Sequence, residues 1–246
     1  MMRKAIIRSG LLTVALSAML TALGPVSAAT PGTEPPTRGL YLQLIRQARA
    51  DGRPRAAIAY LDDFDRQFPG DLDARLLRIN SLLDLGQNDK AEAALATLGR
   101  TPSTGPQAAA VSAVRGHVLA ARGAWAEAVP RYEAAVSADP TDPMLRNALG
   151  YALIRTGAFA GAIEALRGAG DLAPGDTVVR NNLILALMLG GDKDAIADAI
   201  ARVGDRRAQA DLRRQIGAEA DRLVALAHAP TMVADATHAK TSKKDR

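Results

Sequence analysis

Apolar helical stretches alternate along this chain with short polar breaks, and each break carries a glycine at a regular interval. Gly52 and Gly86 lie 34 residues apart, and Gly123, Gly157 and Gly191 follow one another at the same step. A single step of 37 separates Gly86 from Gly123. Where a helix turns back sharply, one residue must adopt a left-handed conformation that glycine reaches at little cost. The pattern therefore predicts an all-α chain of antiparallel helix pairs. Five units follow at 38–71, 72–106, 109–142, 143–176 and 177–204.

Smaller positions keep the same register. In the third unit Gly116 and Leu119 fall on the first helix, Ala128, Tyr132 and Ala135 on the second, and Pro140 ends it. The fourth unit places Gly150, Leu153, Ala162, Leu166, Ala169 and Pro174 at the equivalent points. Small residues allow two helices to approach, large ones fill the space beside them, and proline stops the second helix. With this period and this small–large–proline pattern, residues 38–204 resemble the tetratricopeptide repeat family. The resemblance implies a right-handed superhelical solenoid of about five helix pairs.

Three departures modify that frame. The second unit ends in the run Thr101 to Pro106, which supplies the three extra residues of the long step. Pro130 falls inside a second helix, where it removes a hydrogen bond and predicts a kink. After the fifth unit, Leu212, Ile216, Ala220, Leu223 and Ala227 repeat at spacings of four, four, three and four. That stripe suits a C-terminal capping helix over 205–228, because the last unit of a solenoid otherwise leaves an apolar face bare.

The two ends read differently from the middle. Arg3, Lys4 and Arg8 precede the uncharged apolar run Leu11 to Leu23, and Val26, Ser27 and Ala28 offer small residues for cleavage. Residues 1–28 are thus expected to be a signal peptide, since the run falls short of the ~20 residues a spanning helix needs. Export would place the protein in the periplasm with no stable membrane span, associated with the outer membrane only through partners. Residues 29–37, rich in Pro, Thr and Gly, are expected to be a flexible linker, and 229–246 a disordered basic tail.

Charge changes the picture only once it is located. The formal net charge of +5 falls to +2 without residues 1–28, and the segment 237–246 alone carries +3. The body between is close to neutral, so no basic face exists to bind a phosphate backbone, and no nucleic-acid partner is expected. Aromatics make up only 3% of the 246 residues and cysteine is absent, which suits alanine- and leucine-rich helices and excludes thiol chemistry and disulfides.

Candidate chemistry is sparse. His117, His228 and His238 have no ligand-spaced partners, so neither a metal nor a cofactor is expected. No serine has the setting of a nucleophile, and Asp192 with Asp194 reads as a helix N-cap rather than a calcium loop. No enzyme is predicted. A solenoid of this type lines a groove with its first helices, and counting along the register places Arg46, Arg49, Asn80, Asp84, His117, Asn147, Tyr151, Arg155, Asn181 and Met188 there. Amide side chains one period apart can hydrogen-bond the backbone of an extended peptide, or can instead satisfy neighbouring turns. No lysine joins them, which disfavours an acidic C-terminus as ligand.

The stretches Leu145 to Leu153 (LRNALGYAL) and Val179 to Asp192 (VRNNLILALMLGGD) also resemble the tetratricopeptide-class assembly proteins of tight-adherence (Flp-type) pili. Those proteins are exported, commonly as lipoproteins, whereas this chain has no cysteine to carry a lipid. The resemblance implies a non-catalytic protein–protein interaction scaffold for an envelope machine, with a secretin or another pilus-assembly component as partner. A general periplasmic adaptor for envelope enzymes or outer-membrane assembly is the alternative.

Overall fold

The computed structural model describes residues 37–98 and 104–241, with side chains as far as Ala227. The expected signal peptide, most of the linker and residues 242–246 lie outside the described residues, as do 99–103 of the run between the second and third units. Eleven helices and no strand occur among those described. They form five pairs: α1 (Arg38–Ala50) with α2 (Pro54–Gln67), α3 (Leu72–Asp84) with α4 (Asn88–Ala96), α5 (Gly105–Ala121) with α6 (Trp125–Ala138), α7 (Pro143–Arg155) with α8 (Phe159–Leu172), and α9 (Thr177–Gly190) with α10 (Lys193–Ala201). The eleventh, α11 (Arg206–Thr241), follows them. The all-α solenoid of five pairs and a terminal helix is the architecture the glycine ladder predicts.

Each turn within a pair is built alike. Gly52, Gly86, Gly123, Gly157 and Gly191 have φ between 71° and 82°. The residue after each donates its N–H to a carbonyl in the last helical turn, as Arg53 does to Ala48 and Ala158 to Leu153, both at 2.9 Å. This pairing satisfies carbonyls that the helix end would leave orphaned. Aspartates close the opposite ends of the helices: Asp71, Asp142, Asp176, Asp192 and Asp205 each accept from a backbone N–H in the first turn that follows. The Asp192 carboxylate is thus the N-cap of α10, at 3.0 Å from Ala195 N.

The helices meet where glycine removes a side chain. Gly116 of α5 faces Tyr132 of α6, and Gly150 of α7 faces Leu166 of α8. Ala128, Ala135, Ala162 and Ala169 are fully enclosed beside these contacts. On the outside, Arg38 reaches Asp71 and Asp73, and Arg78 reaches Asp62 and Asp65, at 2.6–2.8 Å. Both arginines tie the first pair to the second; being partly exposed, such pairs set alignment more than stability.

Two expectations need correction. The tail expected to be disordered from 229 is helical in its backbone as far as Thr241, with Pro230 inside that helix. The third unit also starts earlier than its register implies, because α5 begins at Gly105, with Pro106 in its first turn where a missing N–H costs nothing. Pro130 lies within α6, which runs as one helix from Trp125 to Ala138.

Candidate functional site

The first helices carry one series of positions at the repeat step: Arg46, Asn80, His117, Tyr151 and Leu185. The first four were expected to line a groove; Leu185, 34 residues beyond Tyr151, completes the series but is buried in the core. Most of the polar groups along this face are engaged with the neighbouring repeat.

Arg49 of α1 forms an ion pair with Asp84 of α3 at 3.0 Å, both partly buried. One step on, His117 of α5 and Asn80 of α3 share a hydrogen bond of 3.0 Å between Nδ1 and Oδ1. With a carbonyl oxygen as partner, the ring donates from a protonated Nδ1. Burial, with a smaller contribution from the charge of Arg49, lowers the His117 pKa to about 4, so the ring is neutral at pH 7. Its other neighbour is the Tyr132 ring, with centroids 5.6 Å apart.

Asn147 is 9% exposed and accepts from Nδ2 of Asn182 at 2.9 Å, tying α7 to α9. This is neither an open clamp nor a turn bond but a stitch between repeats. Asn182 went unnoticed because its neighbour Asn181 occupies the exact repeat position of Asn147. Asn181 Oδ1 is shielded from solvent and has no hydrogen-bond partner.

Tyr151 lies edge-on to Trp125, with centroids 5.6 Å apart, and the Arg155 guanidinium stacks on the same indole at 4.3 Å. Burial pushes the Tyr151 phenol above its ordinary pKa, while Arg155 pulls the other way. Trp125 is the chain's one tryptophan and joins this cluster from the start of α6, a position no motif marked. Met188 packs into the apolar cluster formed by α7 to α11. Arg46 differs from all of these in being exposed. Among the described residues no group of three acidic or histidine side chains converges as a metal site would require.

Tetratricopeptide repeat models match residues 48–114 and 113–177, which together span more than half of the chain. The chain belongs to the tetratricopeptide repeat family. Solved structures of this architecture resemble it. A thermophilic TPR protein of Thermus thermophilus aligns at a TM-score of 0.59 and 21% identity, over 72% of this chain and 96% of that one. The Cut9–Hcn1 hetero-tetramer of the APC/C aligns at 0.55 and 19%, over 66% of this chain and 32% of that chain. MamA of Desulfovibrio magneticus aligns at 0.50 and 23%, over 72% and 95%. At such identities the likeness establishes the fold. No curated protein matches the chain. Tetratricopeptide repeats are typically non-catalytic modules that bind peptide or protein partners.

Proposed function

We propose that this tetratricopeptide protein is a periplasmic interaction scaffold that takes a segment of an envelope-assembly component, a secretin or another part of a tight-adherence pilus, on the face of its first helices. What supports the reading is the single-sided series from Arg46 through Asn80 and His117 to Tyr151: Asn80, His117 and Tyr151 are fixed by contacts between neighbouring repeats, Arg46 stands exposed beside them, and no nucleophile or paired acid is among them. Rigid anchoring lowers the ordering cost of binding. The n-region of Arg3, Lys4 and Arg8 and the small residues Val26 to Ala28 support export.

Arg46 provides the cleanest test because it is exposed, so its replacement spares the fold. Pull-down from an envelope extract with wild type and Arg46→Glu is expected to lose the specific partner in the variant. Equal recovery by both proteins refutes the assignment of this face. Recovery of envelope enzymes in place of pilus components would favour the general adaptor. N-terminal sequencing of the exported protein should begin near Ala29; an intact Met1 removes the periplasmic reading.

A further inference from the structure

The near-neutral body expected from the charge count conceals one basic corner. Where α10 ends and α11 begins, residues 202–214 hold Arg202, Arg206, Arg207, Arg213 and Arg214 against Asp205 and Asp211, a net +3. All five arginines are exposed. Arg214 alone among them has a carboxylate partner, Asp211. Asp205 spends its carboxylate on the N–H of Ala208 as the cap of α11. By contrast Arg38, Arg53, Arg66 and Arg122, also on the surface, each hold an acid.

The fold makes no use of the unpaired arginines. Arg206 and Arg207 stand in the first turn of α11, where the helix dipole disfavours positive charge, and no acid shares that turn. At about 100° per residue, Arg206, Arg207, Arg213, Arg214 and Val224 fall within about 60° of one direction around α11, with Asp221 as the one acid among them. Leu212, Ile216, Glu219 and Leu223, the buried or half-buried residues, lie on the opposite side. Val224 is 47% exposed. A helix side that carries both arginine and an apolar residue suits the headgroup boundary of a membrane, whereas a soluble polyanion has no use for the valine. No described helix is long and apolar enough to cross a bilayer. Further along the chain Lys240, Lys243, Lys244 and Arg246 continue the same sign.

We infer that the free side of α11, from Arg206 to Val224, is a peripheral docking surface for a membrane of anionic phospholipid. Arg206, Arg207 and Arg213 meet the headgroup phosphates, Arg202 adds to their field, and Val224 enters the boundary beside them. None of these residues belongs to a first helix, so the surface goes beyond the interaction-scaffold reading and does not rest on it.

Co-sedimentation of the full chain with phosphatidylcholine vesicles, with and without phosphatidylglycerol, tests the inference. Any contribution of residues 1–28 is common to all variants, so the gain due to phosphatidylglycerol is what is read. An arginine at an anionic surface is worth about fivefold in affinity. Arg206→Gln/Arg207→Gln/Arg213→Gln is therefore expected to lose roughly 100-fold on phosphatidylglycerol vesicles, while lysine at the same three positions keeps most of the gain. Val224→Ser should cost roughly threefold or more. A wild type indifferent to phosphatidylglycerol overturns the inference, as does a glutamine variant that binds like wild type. Loss of all binding from Lys240→Gln/Lys243→Gln/Lys244→Gln alone would move the contact to the tail and overturn it too. Equal affinity for a DNA oligonucleotide, unaffected by Val224→Ser, would assign the surface to soluble polyanions and refute the membrane reading. Should the glutamine variant not fold, salt decides: the wild-type gain must fall by roughly tenfold or more from low to high salt, and a gain indifferent to salt overturns the inference. The Arg46→Glu pull-down reads a different helix, so each reading can fail alone.

Discussion

A Cβ atom placed on Gly150 would come within 2.4 Å of Leu166 Cγ. The side chain it meets is fully enclosed and cannot swing aside. Gly150→Ala is therefore expected to destabilise the protein by about 1–3 kcal/mol, read as a lower urea midpoint with an unchanged slope. The double variant Gly150→Ala/Leu166→Ala should cost less than the two single changes summed, because the second removes the clash created by the first.

Gly157, seven residues along the same helix pair, is constrained for a different reason. Nothing lies within 4 Å of a Cβ built there, but its φ is 79°. Gly157→Ala should cost about 1–2 kcal/mol through backbone strain alone. Unlike Gly150→Ala, no truncation of a neighbour should rescue it, which thermal or urea unfolding of the pair of variants will show.

The two amides one period apart should behave unequally. Asn147→Ala strands the buried Nδ2 of Asn182 and is expected to cost about 1–3 kcal/mol. Asn181→Ala removes an oxygen that already lacks a partner and should change stability by no more than about 0.5 kcal/mol. Equal losses from the two would mean that the stitch between α7 and α9 contributes nothing.

Acid should weaken the fold in a window set by His117. Its folded pKa of about 4 lies below the ordinary value of 6.5, so within that interval the unfolded chain binds a proton that the native ring refuses. Stability from this group is complete above pH 6.5 and declines as the pH falls toward 4, by about 3 kcal/mol in all. His117→Gln should flatten that slope in urea titrations between pH 6.5 and 4.5, while wild type steepens.

Deleting Leu212 to Ala227 uncovers Ile184, Leu185 and Ile200, each no more than 2% exposed in the intact protein. Light scattering should then report aggregation at concentrations where the full chain stays monodisperse. A soluble and equally stable deletion would show that α11 covers nothing essential.

The repeat register was legible because its marks are backbone constraints. A left-handed turn admits glycine and little else, and the close approaches at Gly116 and Gly150 leave no room for a side chain. Such demands write themselves into the residue type. The partners of the polar face were not legible in the same way. Asn181 and Asn182 are chemically identical neighbours, and only their 100° separation around α9 decides which one meets Asn147. Arg49 and Asp84 each looked available until the stacking of α1 on α3 brought them together at 3.0 Å.

The polar stitches between first helices also make the order of the repeats unexchangeable. Apolar layers alone would let any unit stack on any other, as interchangeable tiles do. Here Arg49 needs Asp84, Asn80 needs His117, and Asn147 needs Asn182, each match supplied by the next unit in line. Excising residues 109–142 would join two well-formed neighbours yet bring Asn80 up against Tyr151, the next member of the series. A lineage of this protein could lengthen or shorten its solenoid only by rewriting these addresses at the same time.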